Sequence, residues 1–374
     1  LSVFNRVLER EITAKLRGDK AIIILGARQV GKTTLLGQLF ASKNTLWLNG
    51  DDADTRELLA QPNVGQLKRI IGKAKYVVID EAQRIPNIGV AIKIITDRIK
   101  TTRVIATGSS SFELRNQINE PLTGRKWEFQ MFPLSFYEMV QHHGLLEEKR
   151  SIPHRMVYGY YPEIVNDDDH AEVLIKSIAD SYLYKDVLML DKVQKPEKLE
   201  RLVQALALQI GSEVSYNELA QLCQLDKETI ERYIQLLEKA FVIFRLNAFN
   251  RNVRNELTKS RKIYFYDNGI RNAVLSRFET ITRRDDVGAL WENFVISERI
   301  KKLRYENWNI RSYFWRTTAQ QEVDYVEEYR GKIYAWELKW NKHKRVKFPV
   351  TFTKAYQPVV SDVISPQNVD EFLL

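Results

Sequence analysis

Ala21-Ile22-Ile23-Ile24-Leu25-Gly26-Ala27-Arg28-Gln29-Val30-Gly31-Lys32-Thr33-Thr34 is the stretch on which the reading of this chain turns. Five apolar residues in succession predict a buried strand. The next eight, GARQVGKT, fit the spacing G-x-x-x-x-G-K-[ST], and a helix is expected from Thr33. A glycine-rich turn between strand and helix lets backbone amides curl around phosphates, and the helix N-terminus favours the anion. Lys32 would reach the β- and γ-phosphates as a mobile point charge, and Thr33 would offer its hydroxyl to magnesium. The expected nucleotide contacts are Gly26, Ala27, Arg28, Gln29, Val30, Gly31, Lys32, Thr33 and Thr34, with ATP and Mg2+ as ligands.

A second apolar run, Tyr76-Val77-Val78-Ile79, ends in Asp80-Glu81. Asp80 is placed to hold magnesium through water and Glu81 to polarise an attacking water, which is what phosphoryl transfer to water requires. A kinase would not need the second carboxylate, and no Asn-Lys-x-Asp segment is present to read guanine. Thr107, in Thr-Gly-Ser-Ser-Ser, follows the next expected strand and could sense the γ-phosphate; Ser109 competes for that role. Arg125, in Leu-Thr-Gly-Arg, precedes the last strand of the unit. It reads as an arginine finger acting in cis or from a neighbouring subunit, or as a solvated arginine.

Around this core, strands at Thr45–Leu48, Tyr76–Ile79, Arg103–Ala106 and Trp127–Met131 alternate with helices. That alternation predicts an α/β unit with a parallel sheet over residues 1–133. Residues 134–195 read as helical. In 196–275, helices at Lys198–Leu208, Tyr216–Leu222 and Lys227–Ala240, with Ser215 and Asp226 as N-caps, precede β-rich runs at Phe241–Leu246 and Lys262–Tyr266, an order that suggests a winged helix. Its second helix carries Asp226, Glu228, Glu231 and Glu238 against Lys227, Arg232 and Lys239, too acidic for a typical phosphate-bound reader. Arg251, Arg254, Lys259, Arg261 and Lys262 make the wing the better DNA contact.

With 374 residues, two or three domains are expected. A hydrophobic share of 44% and a charged share of 28% suit a soluble globular chain. The single cysteine, Cys223, excludes an internal disulfide framework and a cysteine-rich zinc site. Ala21–Leu25 is too short to span a membrane and nothing before it reads as a signal peptide, so the cytoplasm is the expected compartment. The net charge of +9 leans toward an anionic partner. Basic residues concentrate at Arg245–Lys262 and Lys339–Lys347, read either as solvated surface or as nucleic-acid contacts.

The last part, 276–374, holds a helix at Gly288–Leu303 and strands at Ser312–Trp315, Glu322–Tyr329 and Lys332–Trp340. A hairpin turning at Arg330-Gly331 would set Asp324 opposite Glu337 and Glu322 opposite Lys339, all on one face. That face reads as solvated, with a Glu322–Lys339 ion pair. Two carboxylates directly opposite repel, however, and a hard divalent cation would turn the repulsion into ligation. Lys339 could then orient a water or steady charge on a phosphate.

GARQVGKTT, VVIDEAQ, ATGSSS, LTGR, FPLSFYE, GYYPEIV, SRKIYFYDNGIRNA, VDYVE and WELKW, in this order, resemble bacterial and archaeal AAA+-type ATPases of the ASCE class. The resemblance implies a sheet of order 5-1-4-3-2, a helical lid, a winged helix and a C-terminal domain similar to PD-(D/E)XK nucleases. It also implies Glu292, in LWENFV, as a further metal-binding acid beside Asp324 and Glu337; Val323 stands where the nuclease pattern has proline. Three outcomes stay open: an ATPase governing a DNA-acting nuclease-like domain, an ATP-operated switch that recruits a protein partner with that domain inert, or a DNA-binding ATPase without cleavage. An oligomer is compatible with each.

Overall fold

A computed structural model describes residues 3–109, 118, 121–181, 195–250, 260–341 and 347–374. Five parallel strands form the first sheet: β1 (Ala21–Leu25), β2 (Thr45–Asn49), β3 (Tyr76–Asp80), β4 (Arg103–Gly108) and β5 (Lys126–Gln130). Their order is β2-β3-β4-β1-β5, the expected order read from the other edge. Every residue of β1 is buried. Each large aliphatic side chain buried there contributes about 1.5–3 kcal/mol, which fixes the strand that delivers the phosphate loop. Parallel pairing also brings the C-terminal ends of β1, β3 and β4 to one edge, with Leu25 level with Gly108 and Ile79 level with Ala106.

The expected helix after the phosphate loop runs over Lys32–Phe40, and two helices not foreseen, Ala53–Ala60 and Val64–Ile71, connect β2 to β3. Beyond β5 the chain turns helical, at Phe136–His143, Leu145–Tyr158, Pro162–Asn166 and Ala171–Asp180. Ser135 and Glu138 start the first of these with reciprocal side-chain-to-backbone bonds, a capping box. Three more helices follow, Pro196–Leu208, Tyr216–Cys223 and Lys227–Lys239, and Ser215 and Asp226 cap the last two as expected.

The second sheet departs from expectation. β6 (Ile243–Ala248) and β7 (Arg261–Phe265) pair antiparallel, as a wing would. They are not a free ribbon, because β6 also pairs parallel with β8 (Arg311–Arg316) through Asn247↔Tyr313 and Ala248↔Phe314. With β9 (Glu322–Tyr329), β10 (Lys332–Leu338) and β11 (Val360–Ile364) they form six strands in the order β11-β10-β9-β8-β6-β7. The boundary expected after residue 275 therefore runs through one sheet. Backbone pairing at Asn247 and Ala248 joins the strands on either side of it.

Helix Val287–Tyr305 packs on this sheet and reaches back to the first unit. Lys301 Nζ donates to Leu134 O at 3.0 Å, and Phe136 N–H donates to Glu298 Oε2 at 2.7 Å. The helix Asn268–Leu275 is likewise tied to Leu145–Tyr158, through Asn272 Nδ2 to Met156 O and Val157 O. Gly159, at φ +79, closes that junction: a Cβ there would lie 1.9 Å from Asp267 Oδ1, the carboxylate that accepts from Gly269 N–H. No described helix is long and apolar enough to cross a membrane.

Gly159→Ala therefore combines left-handed backbone strain with a collision against a buried carboxylate. It is expected to lower stability by at least about 2 kcal/mol, measured by denaturant unfolding; an unchanged midpoint would refute this account of the junction.

Candidate functional site: a phosphate loop and a paired-carboxylate cluster

Gly31 ends the phosphate loop at φ +94, and the helix begins at the next residue. Lys32 is nearly buried, its Nζ donating to Gly26 O at 2.8 Å and Ala27 O at 2.7 Å. The ammonium thus rests on carbonyls of its own loop, close to where phosphate oxygens would lie. Thr33 Oγ1 donates to Asp80 Oδ2 at 2.7 Å, which joins the loop to the end of β3. A cavity of about 700 Å³ opens here, lined on one side by Lys32, Thr33, Asp80 and Glu81 and on the other by Pro162 and Glu163 of the helical segment. Arg28, Gln29, Gly31 and Thr34 also face it, whereas Ala27 and Val30 are buried. A hydroxyl and a carboxylate held together beside the loop are hard oxygen donors of the kind magnesium takes.

Glu81 has a left-handed backbone, φ 48, a strained conformation for this residue type. Its N–H donates to Thr107 Oγ1 at 3.2 Å. Thr107 Oγ1 in turn donates to Asp80 Oδ1. Thr107 is fully buried and fastens Asp80 to the Glu81 backbone. Ser109 is the one that reaches the carboxylate: its Oγ lies 3.3 Å from Glu81 Oε2. Gln83, to which the sequence reading gave no role, donates from Nε2 to Glu81 Oε2 at 2.6 Å and to Ser109 Oγ at 3.0 Å. Only its place two residues after Glu81 hinted at this.

Arg125 lies elsewhere. It precedes β5, and its carbonyl accepts from Ala21 N–H at the start of β1, whereas the phosphate loop follows the end of β1. Five strand residues, about 17 Å, separate the two edges. Its guanidinium pairs with Asp97 at 2.9 Å. The cis arginine-finger expectation fails on that geometry. The arginines that do line the cavity are Arg6, Arg28 and Arg84, the last paired with Asp51 at 2.8 Å.

In the C-terminal sheet the hairpin turns at Arg330 and Gly331, both with positive φ, and Trp336 faces Tyr325, so Glu337 and Asp324 follow in register as expected. The face is not solvated: Asp324 is 7% and Glu337 6% exposed. Nor do Glu322 and Lys339 pair. Lys339 Nζ bonds Asp324 at 2.7 Å and Glu337 at 2.8 Å, while Asp324 also accepts from Leu338 N–H. Lys262, expected on a basic wing, is buried and bonds both Glu292 and Glu322. Glu292 also accepts from Tyr264 OH at 2.6 Å. Glu292 is engaged by Lys262 and Tyr264, and burial, with the Asp324 carboxylate nearby, raises its pKa. Among the described residues no three His, Cys, Asp or Glu side chains group so as to hold a metal ion. Burial, then Asp324, push Glu337 up to about 7.

The other wing cations Arg251, Arg254 and Lys259, and positions 342–346 of the second basic run, lie outside the described residues. Arg245 pairs with Glu238 at 2.6 Å, and Arg261 covers the Tyr216 ring at 4.5 Å.

Three family profiles match the chain. Residues 18–140 match a family profile described as "AAA domain"; 149–280 and 287–371 match two described as domains of unknown function, DUF8612 and DUF4143. An uncharacterised protein of Mycobacterium tuberculosis is 27% identical over 88% of this chain and 73% of its own length. Another, of Methanocaldococcus jannaschii, is 25% identical over 96% of this chain and 82% of its own. A Walker-type ATPase of Pyrococcus abyssi shares the fold: TM-score 0.50, 15% identity, covering 73% of this chain and 96% of that one. The N-terminal unit is thus an AAA-type P-loop domain.

A carboxyl whose folded pKa lies above its ordinary 4.5 binds a proton more tightly folded than unfolded. Its contribution to stability is present at low pH and is lost as pH rises from about 4.5 through about 7. Glu337→Gln should remove that part of the pH dependence, giving a flatter urea-unfolding profile from about pH 5 to about pH 8. A profile with the wild-type slope would contradict the assignment.

Proposed function

We propose that this chain binds ATP with magnesium in the cavity above β1 and β3, hydrolyses it, and uses its nucleotide state to control the C-terminal module. The carrying observation is the chain of contacts Thr33–Asp80–Thr107–Glu81 at the mouth of the phosphate loop. It sets two carboxylates with different tasks side by side. Thr33 and, through water, Asp80 would hold the magnesium, whose charge offsets that of the β- and γ-phosphates. Lys32 leaves the Gly26 and Ala27 carbonyls for the phosphate oxygens, exchanging neutral acceptors for charged ones. Glu81, turning from Gln83 and Ser109, accepts a hydrogen bond from the attacking water and orients it in line with the γ-phosphate.

For the C-terminal module, the internal pairing of Lys262 and Lys339 favours the switch over the nuclease. Each ammonium lies between two carboxylates. A cutting site would need those acids for metal and Lys339 for substrate, whereas here Lys339 is bonded to both Asp324 and Glu337. The module is therefore read as the part that meets a protein partner when the ATP site changes state.

Two measurements test this. Lys32→Ala should abolish ATP turnover and weaken ATP binding, whereas Glu81→Gln should bind ATP but lower kcat by at least about 100-fold. Turnover unchanged in Lys32→Ala would sink the hydrolytic reading. Wild-type protein with magnesium should leave single- and double-stranded DNA intact. Cleavage that disappears in Glu337→Ala would instead establish the nuclease.

A further inference from the structure

The phosphate loop is braced by a residue outside every nucleotide motif. Arg6 is 7% exposed and its guanidinium reaches three acceptors from one fork. Nη1 donates to Val30 O at 2.6 Å, Nη2 to Phe132 O at 2.7 Å, and Nε to Glu138 Oε1 at 2.9 Å. Val30 is the loop residue before Gly31. A trans peptide is planar, with its C=O and N–H pointing to opposite sides. By accepting from Arg6, the Val30 carbonyl holds the plane of that peptide, and with it the direction of the Gly31 N–H beside the cavity. Arg6 also lines the cavity, so its charge adds to the potential there.

A further contact to Arg6 and to Phe132 comes from the C-terminal part of the chain. Tyr305 is the last residue of helix Val287–Tyr305. Its hydroxyl accepts from Phe132 N–H at 3.1 Å and lies 3.5 Å from Arg6 Nη2. The Phe132 residue is thus bonded on its N–H by Tyr305 and on its C=O by Arg6. Glu298 and Lys301, on the same face of that helix by their spacing, fix Phe136 N–H and Leu134 O. Phe132 also packs edge-on against the Tyr305 ring, centroids 5.6 Å apart.

We propose that Arg6 and Tyr305 are positioning residues of the nucleotide site: the C-terminal helix, through Tyr305 and Arg6, sets the orientation in which the phosphate loop presents the Gly31 amide. This rests on the ATP-site reading above and adds the route by which the C-terminal module and that site act on each other. An orientation fixed before substrate arrives is felt equally in the bound and transition states, so its loss acts on KM more than on kcat.

The test is steady-state ATP hydrolysis together with titration of a fluorescent ATP analogue. Arg6→Lys keeps the charge, but its compact ammonium cannot span the separate acceptors that the planar guanidinium reaches, and Tyr305→Phe keeps the ring but not the hydroxyl. Each should raise KM for ATP and the analogue's Kd about three- to tenfold, exceeding any change in kcat. Tyr325→Phe is the control. It removes a buried hydroxyl that bonds Ser312 at 2.8 Å in the second sheet, and should leave KM for ATP at the wild-type value. If Arg6→Lys does not fold, because Glu138 keeps a poorly matched partner, Tyr305→Phe decides alone. Wild-type KM and Kd in a folded Tyr305→Phe overturn the proposal, as does an equal KM rise in Tyr325→Phe, which would mark a general loss of stability. Failure of the ATP reading would look different: turnover would persist in Lys32→Ala.

Discussion

A short run of backbone with no strand of its own, from Phe132 to Phe136, has to satisfy its polar groups inside the protein, and that requirement fastens the molecule together. Phe132, Leu134 and Phe136 are each at most 1% exposed. Buried N–H and C=O groups left without partners cost about as much as a lost hydrogen bond each. Phe132 uses Tyr305 and Arg6; Leu134 N–H finds Tyr160 O at 2.9 Å; Leu134 O takes Lys301; Phe136 N–H takes Glu298. Three regions of sequence, the Arg6 segment, Tyr160 and the helix Val287–Tyr305, converge to satisfy five groups. Just before this run, Met131 N–H bonds Leu25 O at 2.7 Å, so the same segment also abuts the base of the phosphate loop.

Much of the first unit was legible from local pattern. The β1 run and the spacing from Gly26 to Thr33 located the loop, and Asp80 and Glu81 followed because a buried strand must end where polar residues begin. The supports were not legible. Arg6 sits in an ordinary amphipathic helix start, and its partners are 24 to 299 residues away. Gln83 differs from any surface glutamine only in the short helical turn, Ala82–Arg84, that aims it back at Glu81. Arg125 misled because its position relative to a strand was clear from sequence, but which edge of the sheet it faced depended on pairing.

In the C-terminal sheet, alternation gave the hairpin register through Arg330 and Gly331, and with it the meeting of Asp324 and Glu337. It did not give burial. Helix Val350–Tyr356, with Phe352 fully buried, packs with Trp315, Val326, Ile333 and Ala335 and helps turn a face that reads as half-polar into interior. Once covered, Asp324, Glu337 and Glu292 need partners where they stand. Two lysines supply them, Lys339 for the first two and Lys262 for Glu292, the latter delivered by β7 from a part of the chain that composition had assigned to the surface. Desolvation decided the pairing: an ammonium inside is tolerable only between carboxylates, and the carboxylates in turn only around an ammonium.

The parallel joining of β6 to β8 has a further consequence for how such chains can change over evolution. The two profiles covering residues 149–280 and 287–371 look like units that could be shuffled independently. Yet β6 and β7 belong to the first and β8 to the second, within one hydrogen-bonded sheet. Exchanging the final segment for an unrelated one would strip β6 of its neighbour at Asn247 and Ala248 and leave backbone groups there unpaired, a template for aggregation. The two parts are bound to be inherited together, and a change in what the C-terminal end meets must come by substitution on its surface rather than by replacing the module.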